Sequence, residues 1–182
     1  MALINTTTTG ILGTTVYGDG AGSLTVQKDG VTQGIYGNIP AFSAYLSVAQ
    51  SISNNTWTKV QLNIEEFDTN SNYDNATNYR FTPTIAGYYQ INGNVCFNAT
   101  SGLNSNTVGV IYKNGTRYKD GNLQSVGTGG SLFYSVVSTL VYLNGTTDYI
   151  ELWGLIGGTG TLTFGVNSGT QSFLNGFLVK AA

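Results

Sequence analysis

Ser172-Phe173-Leu174-Asn175-Gly176-Phe177-Leu178-Val179, at the end of a 182-residue sequence, decides the fold. Side chains of a strand point alternately to opposite faces, so Phe173, Leu174, Phe177, Leu178 and Val179 make this stretch apolar on both sides. A strand of that kind needs cover on both faces and is predicted to lie inside a sheet. Chain ends fray unless something holds them. Burial here therefore requires earlier strands on either side, which is the arrangement of a β-sandwich.

The rest of the composition agrees with one sandwich and a short appendage, because 182 residues suffice for one sizeable core. Charged residues make up only 9% of the chain and the net charge is -2, which leaves no electrostatic footprint for nucleic acid or for a membrane. A hydrophobic content of 41% separates it from disordered chains of low charge. Met1-Ala2-Leu3-Ile4-Asn5 lacks the basic start and apolar centre of a signal peptide, and no run approaches a membrane span of about 18 apolar residues. These features predict a soluble protein made in a cytoplasm. The single cysteine, Cys96, falls mid-strand and reads as a small buried hydrophobe, with no disulfide framework. Asn-x-Thr triplets begin at Asn5, Asn54, Asn75, Asn98, Asn114 and Asn144. Without a secretion signal they read as a by-product of an Asn/Thr-rich β protein.

No segment keeps a helical period. Short β-branched and aromatic runs closed by turn residues predict strands at 41–47, 58–63, 79–81, 87–97, 107–113, 132–143, 149–153, 161–166 and 173–179. Lys28-Asp29-Gly30, Lys113-Asn114-Gly115 and Leu143-Asn144-Gly145 each carry the Asp-Gly or Asn-Gly pair that supplies the positive φ of a tight hairpin turn. A boundary is expected near Gly37-Asn38-Ile39-Pro40. It divides an N-terminal Thr/Gly-rich arm, residues 1–38, from a ten-strand jelly roll over residues 39–182. The arm has too few large apolar groups for a core of its own, and a lone hairpin is marginal in water. Ile4, Ile11, Leu12, Val16, Tyr17, Leu24 and Val26 are its candidate attachment residues.

Phe81-Thr82-Pro83-Thr84-Ile85-Ala86-Gly87-Tyr88-Tyr89 resembles the Phe, five residues, Gly-x-Tyr segment of the C1q domain, with Phe67-Asp68-Thr69 similar to the start of that signature. Val110-Ile111-Tyr112-Lys113-Asn114-Gly115, the segment from Leu143 to Leu152, and Phe173 to Leu178 are similar to later strands of the family in the family's order. The resemblance covers about residues 41–180. It departs in a shorter loop from Asn72 to Phe81, and in Ile91 where the family usually has Phe. It implies a C1q/tumour necrosis factor jelly roll in which three subunits pack around a threefold axis. By the same resemblance Gln90, Asn92, Val136 and Leu174 are the candidate axis residues. The residues from 87 to 97 make the trimer plausible in their own right. One face carries Tyr89, Ile91, Val95 and Phe97. The other carries Tyr88, Gln90, Asn92, Asn94 and Cys96, a mixture odd for a monomer core and suited to a symmetric interface. The alternative is a solvent-facing strand, since antiparallel sheets often leave one face wet.

Chemistry is expected to be absent. Without histidine, serine and cysteine nucleophiles lack their usual base and zinc lacks its commonest ligand. Glu65, Glu66 and Asp68 cluster, but neighbouring strand residues face opposite ways, which places them poorly as a glycosidase pair. Some C1q relatives bind calcium, yet no acidic loop of the EF-hand type is present. Gly18-Asp19-Gly20-Ala21-Gly22 lacks the Lys-Ser/Thr of a phosphate cradle. Trp57, Trp153 and the tyrosines are able to stack on sugar rings, although most aromatic residues in such a chain serve the core. No cofactor, metal or enzymatic activity is predicted.

Among C1q-like sequences this one most resembles the versions in bacteriophage and bacterial genomes, on Asn38-Ile39-Pro40-Ala41-Phe42-Ser43-Ala44-Tyr45 and Asn54-Asn55-Thr56-Trp57-Thr58-Lys59-Val60. The expectation is a virion structural protein: a homotrimeric capsid decoration, or cement, protein, held to the major capsid protein or another virion protein by its arm. The alternative is a tail-tip or fibre knob whose exposed Tyr and Asn loops contact a host surface glycan.

Overall fold

Alternating apolar residues and tight turns become paired antiparallel sheets in the computed structural model, which describes residues 16–18, 24–28, 31–35, 39–103, 106–123, 131–165 and 170–182. The chain divides into two units, Met1–Ile39 and Pro40–Ala182. In the first, β1 (Val16–Gly18), β2 (Leu24–Lys28) and β3 (Val31–Ile35) form a three-stranded antiparallel sheet in that order. Val16 pairs with Val26 and Gly18 with Leu24. Lys28 pairs with Val31, so these strands bracket the Asp29-Gly30 signal. Of the arm candidates, Val16 and Tyr17 lie on β1, and Leu24 and Val26 on β2; Ile4, Ile11 and Leu12 lie outside the described residues.

The second unit contains β4 (Ala41–Tyr45), β5 (Gln50–Ser51), β6 (Thr58–Lys59), β7 (Ile64–Asp68), β8 (Tyr73–Asp74), β9 (Arg80–Phe81), β10 (Gly87–Ala99), β11 (Val108–Lys113), β12 (Thr116–Asp120), β13 (Ser131–Leu143), β14 (Ile150–Leu155), β15 (Leu162–Phe164) and β16 (Phe173–Ala181). One sheet has seven strands in the order β5-β15-β10-β16-β4-β7, with β13 on the other side of β10. The second has six, β12-β11-β14-β9-β8 with β6 on β14. From β10 onward the chain passes between the sheets, as a jelly roll does.

Between the sheets Tyr89, Ile91, Val95 and Phe97 of β10 are buried with Leu152 and Phe164. Phe42 stacks on Phe81 at 4.1 Å, and Phe97 meets Phe133 at 6.0 Å and Phe164 at 5.5 Å. Aromatic residues fill most of the volume at these points. The C-terminal strand does lie inside its sheet, between β10 and β4. Gly176 lets it sit close: a Cβ there would stand 2.6 Å from Ile91 Cδ1 and 2.8 Å from the Gln90 carbonyl oxygen.

Two of the turn signals differ in outcome. Lys113 pairs with Thr116 across Asn114 (φ 53°) and Gly115 (φ 72°), a tight two-residue hairpin of the expected hand. Leu143-Asn144-Gly145 is not a hairpin, because β13 and β14 belong to different sheets. There Asn144 Oδ1 accepts the backbone N–H groups of Thr146, Thr147 and Asp148 at 2.9–3.0 Å, and the loop carries the chain across the sandwich. Three strands of this unit, β5, β8 and β12, are absent from the expected set, and β7 enters it only as the strand of Glu65 and Glu66. They are short or lack an apolar alternation; every residue of β12 is exposed.

Candidate functional site: the outward face of the seven-stranded sheet

On β13 the apolar pattern continues where a sandwich should show polar residues to water. Phe133, Val137, Val141 and Leu143 face the core, while Leu132, Tyr134, Val136, Leu140 and Tyr142 face out and are 41–58% exposed. The same face of β16 carries Phe177 and Val179, about half exposed, and β10 adds Tyr88. Ile64 and Phe67 on β7, paired with Tyr45 and Ser43, extend it. Ten of the exposed large apolar residues thus share one face, far more than the scattered singles of an ordinary surface.

Strand register sorts the face into rows. Tyr142 sits beside Tyr88, with ring centroids 5.5 Å apart in an edge-to-face contact. The next row is Leu140, Gln90 and Phe177. Then comes a polar row across four strands, Ser138, Asn92, Asn175 and Ser43. Beyond it lies Val136, Asn94, Phe173 and Tyr45. The polar row is tied together by side chains. Gln90 Nε2 donates to Ser138 Oγ at 2.9 Å and Asn92 Oδ1 at 3.1 Å, Ser138 Oγ donates to Asn92 Oδ1 at 2.8 Å, and Asn92 Nδ2 donates to Asn175 Oδ1 at 3.2 Å. Ser43 Oγ donates to Glu66 Oε2 at 2.6 Å at the edge of the row. A hydrogen-bonded polar band therefore lies between apolar bands.

Gln90, Asn92 and Val136 are on this face, within neighbouring rows. Leu174 is not: it pairs with Gly93, is fully buried, and points into the core, so Asn175 and Phe177 take the outward positions on β16. Asn94 and Cys96 share the parity of Gln90 but are themselves buried. Asn94 Nδ2 donates to the Gln171 carbonyl at 2.6 Å, and burial pushes the Cys96 thiol up, as expected of a small core residue. Sequence reasoning missed Leu140, Tyr142, Tyr134 and Phe177. The signal was legible, since residues 132–143 are apolar on both faces just as 173–179 are.

The acidic cluster is taken apart by the fold. A bulge in β7 sends Glu66 to Ser43, while Asp68 accepts the backbone N–H of Tyr73 at 2.6 Å and of Asn70 at 3.2 Å. Desolvation, then the charges of Asp68 and Asp74, raise the Glu65 carboxyl above its ordinary value. Glu66 thus ties two strands together and Asp68 holds a turn. Both tryptophans belong to a closed ladder on the second sheet: Arg117 lies over Trp57, Trp57 meets Tyr112, Tyr112 stacks on Trp153 at 4.6 Å, and Lys59 lies over Trp153. Trp153 Nε1 and Lys59 Nζ both engage Glu151. The faces of these rings are occupied by one another and by cations.

This architecture defines a jelly roll of the C1q and tumour necrosis factor type. Solved structures with it include the globular domain of zebrafish complement 1qA protein, at 14% identity and a TM-score of 0.55 over 79% of this chain and 99% of that one. The Eiger TNF of S. frugiperda matches at 11% identity and 0.53 over 79% and 95%, and murine APRIL at 11% and 0.50 over 78% and 99%. No protein-family model and no curated protein sequence matches the chain.

Proposed function

We propose that the protein is a non-enzymatic virion structural protein: a homotrimer of jelly rolls that decorates a capsid and is attached through its N-terminal unit. The observation that carries the assembly is the outward face of β10, β13 and β16, where apolar rows flank a hydrogen-bonded polar row. A second copy of the same surface supplies the missing cover, and three copies around an axis let β10, β13 and β16 of each subunit meet their equivalents. Apolar rows drive such an association, and the polar band selects the register in which its amides pair. The particle location rests on the resemblance of residues 38–45 and 54–60 to phage C1q-like sequences. The separate three-stranded unit supports attachment, since short antiparallel strands add readily to a neighbouring sheet.

Deleting residues 1–37 tests the division of labour. The expected product is a folded trimer of nearly unchanged thermal stability that no longer enters particles; normal incorporation would move the attachment surface to the jelly roll. Copy number in purified particles separates this reading from a tail-tip knob. Hundreds of copies fit decoration, and about a dozen or fewer fit a tail tip.

A further inference from the structure

We propose that the cleft between residues 46–51, 61–63 and Tyr79 binds a neutral saccharide through the ring of Tyr79 and the surrounding amides. The inference is independent of how the subunits assemble, because no lining residue belongs to the outward rows described above.

The cleft has a volume of about 410 Å³, within the range of small-ligand sites and sufficient for one or two pyranose rings. Its lining is uncharged. Leu46, Val48 and Tyr79 supply apolar surface, and Gln50, Gln61 and Asn63 supply amides. That combination suits a ligand with hydroxyl groups on one side and a C–H face on the other, and gives an ionic ligand no counter-charge.

Two of the amides are held in place from behind. Gln50 Nε2 donates to the Lys59 carbonyl and its Oε1 accepts the Gln61 backbone N–H, both at 2.9 Å. Asn63 Oδ1 accepts from Ser47 N at 3.0 Å, and its Nδ2 donates to Ser47 Oγ at 2.9 Å. Each NH2 group has two protons, so each retains one for a ligand. The exposed side chains of Gln61 and Ser51 make no hydrogen bond with a described residue.

Tyr79 is strained where it meets the cleft. Its φ is 49°, a left-handed conformation that a bulky side chain rarely takes and that costs about 1–2 kcal/mol. The preceding loop imposes it: the Asp74 carboxylate accepts the N–H groups of Ala76, Thr77 and Asn78 at 2.9–3.1 Å, and Lys59 Nζ donates to the Asn78 carbonyl at 3.1 Å. No described residue hydrogen-bonds the Tyr79 hydroxyl. Strain kept at a half-buried aromatic residue beside a polar cleft is consistent with a positioned contact group.

The test is amide-resolved NMR titration of the full-length protein with methyl α-glucoside, methyl β-galactoside and N-acetylglucosamine up to about 100 mM, a range that reveals millimolar dissociation constants. Saturating shifts at residues 48–51, 61–63 and 79 with at least one sugar are expected. Gln61→Ala, on an exposed side chain, should weaken binding about three- to tenfold through one lost hydrogen bond. Tyr79→Gly should abolish binding while leaving the melting midpoint no lower and the assembly mass unchanged, because glycine accepts the positive φ. Absence of saturating shifts with all three sugars, or shifts that survive Tyr79→Gly, overturns the proposal. A melting midpoint that falls in Tyr79→Gly shows that the ring serves folding, and overturns it as well.

Discussion

Leu140→Asp is the most direct probe of the assembly, because Leu140 touches water in the single chain and belongs to the row of Gln90 and Phe177. Fully burying a leucine is worth about 1.5–3 kcal/mol. At 52% exposure roughly half of that, about 1 kcal/mol per copy, remains to be gained on assembly, or about 3 kcal/mol in three copies. Aspartate forfeits this and adds a desolvated carboxylate, at several kcal/mol per ion; taking about 3 for each gives a total near 12 kcal/mol. At a factor of ten per 1.4 kcal/mol, the association constant falls by roughly nine orders of magnitude. Sedimentation equilibrium at micromolar concentration should then show a trimer for the natural chain and a folded monomer for the variant, with circular dichroism unchanged. Val48→Asp, somewhat more exposed and outside these rows, serves as the control and should remain trimeric. A Leu140→Asp protein that stays trimeric, or a natural chain that is monomeric, would refute the assignment of this face.

Gln90→Lys should also weaken the trimer, in a salt-dependent way, since three like charges brought together repel where water is excluded; sedimentation at low and high salt reads the difference. Gly176→Ala should destabilise each subunit by roughly 1–3 kcal/mol, seen as a melting midpoint about 3–10 °C lower, because the new methyl meets the Gln90 carbonyl and Ile91. Backbone N–H of Thr77, with help from Ala76 and Asn78, holds the Asp74 carboxyl down at about 2. Its contribution is therefore complete above its ordinary value near 4 and is lost as the pH falls toward 2, so amide exchange at Ala76, Thr77 and Asn78 should accelerate only across that acid window.

The strands that carry large apolar residues were legible, because alternation on 87–97 and continuous apolar runs on 132–143 and 173–179 are local properties of the chain. The Asn114-Gly115 turn was legible for a similar reason: positive φ at two successive residues is favourable for few pairs, and Asn-Gly is one of them. Leu143-Asn144-Gly145 has the same chemistry with a different result, since a turn pair fixes local dihedrals and not the sheet that the next strand joins. β12 was invisible because an edge strand bearing Arg117, Lys119 and Asp120 has no buried side to imprint a pattern.

The sequence by itself determined that the second unit is all-β, that Gln90 and Asn92 share one face of their strand, and that β13 and β16 are apolar on both sides. Which side of each strand turns inward was decided only by the tertiary structure. On β16 both Leu174 and Phe177 are apolar, and parity alone cannot choose between them. Pairing Gly93 with Leu174 and Asn92 with Asn175 sends Leu174 into the core and leaves Phe177 outside. Tyr79 was likewise beyond the sequence, because its conformation depends on a carboxylate five residues earlier and a lysine twenty residues earlier. Local patterns record the periodicity of a strand, whereas register and long-range hydrogen bonds decide which residues a strand shows to its surroundings.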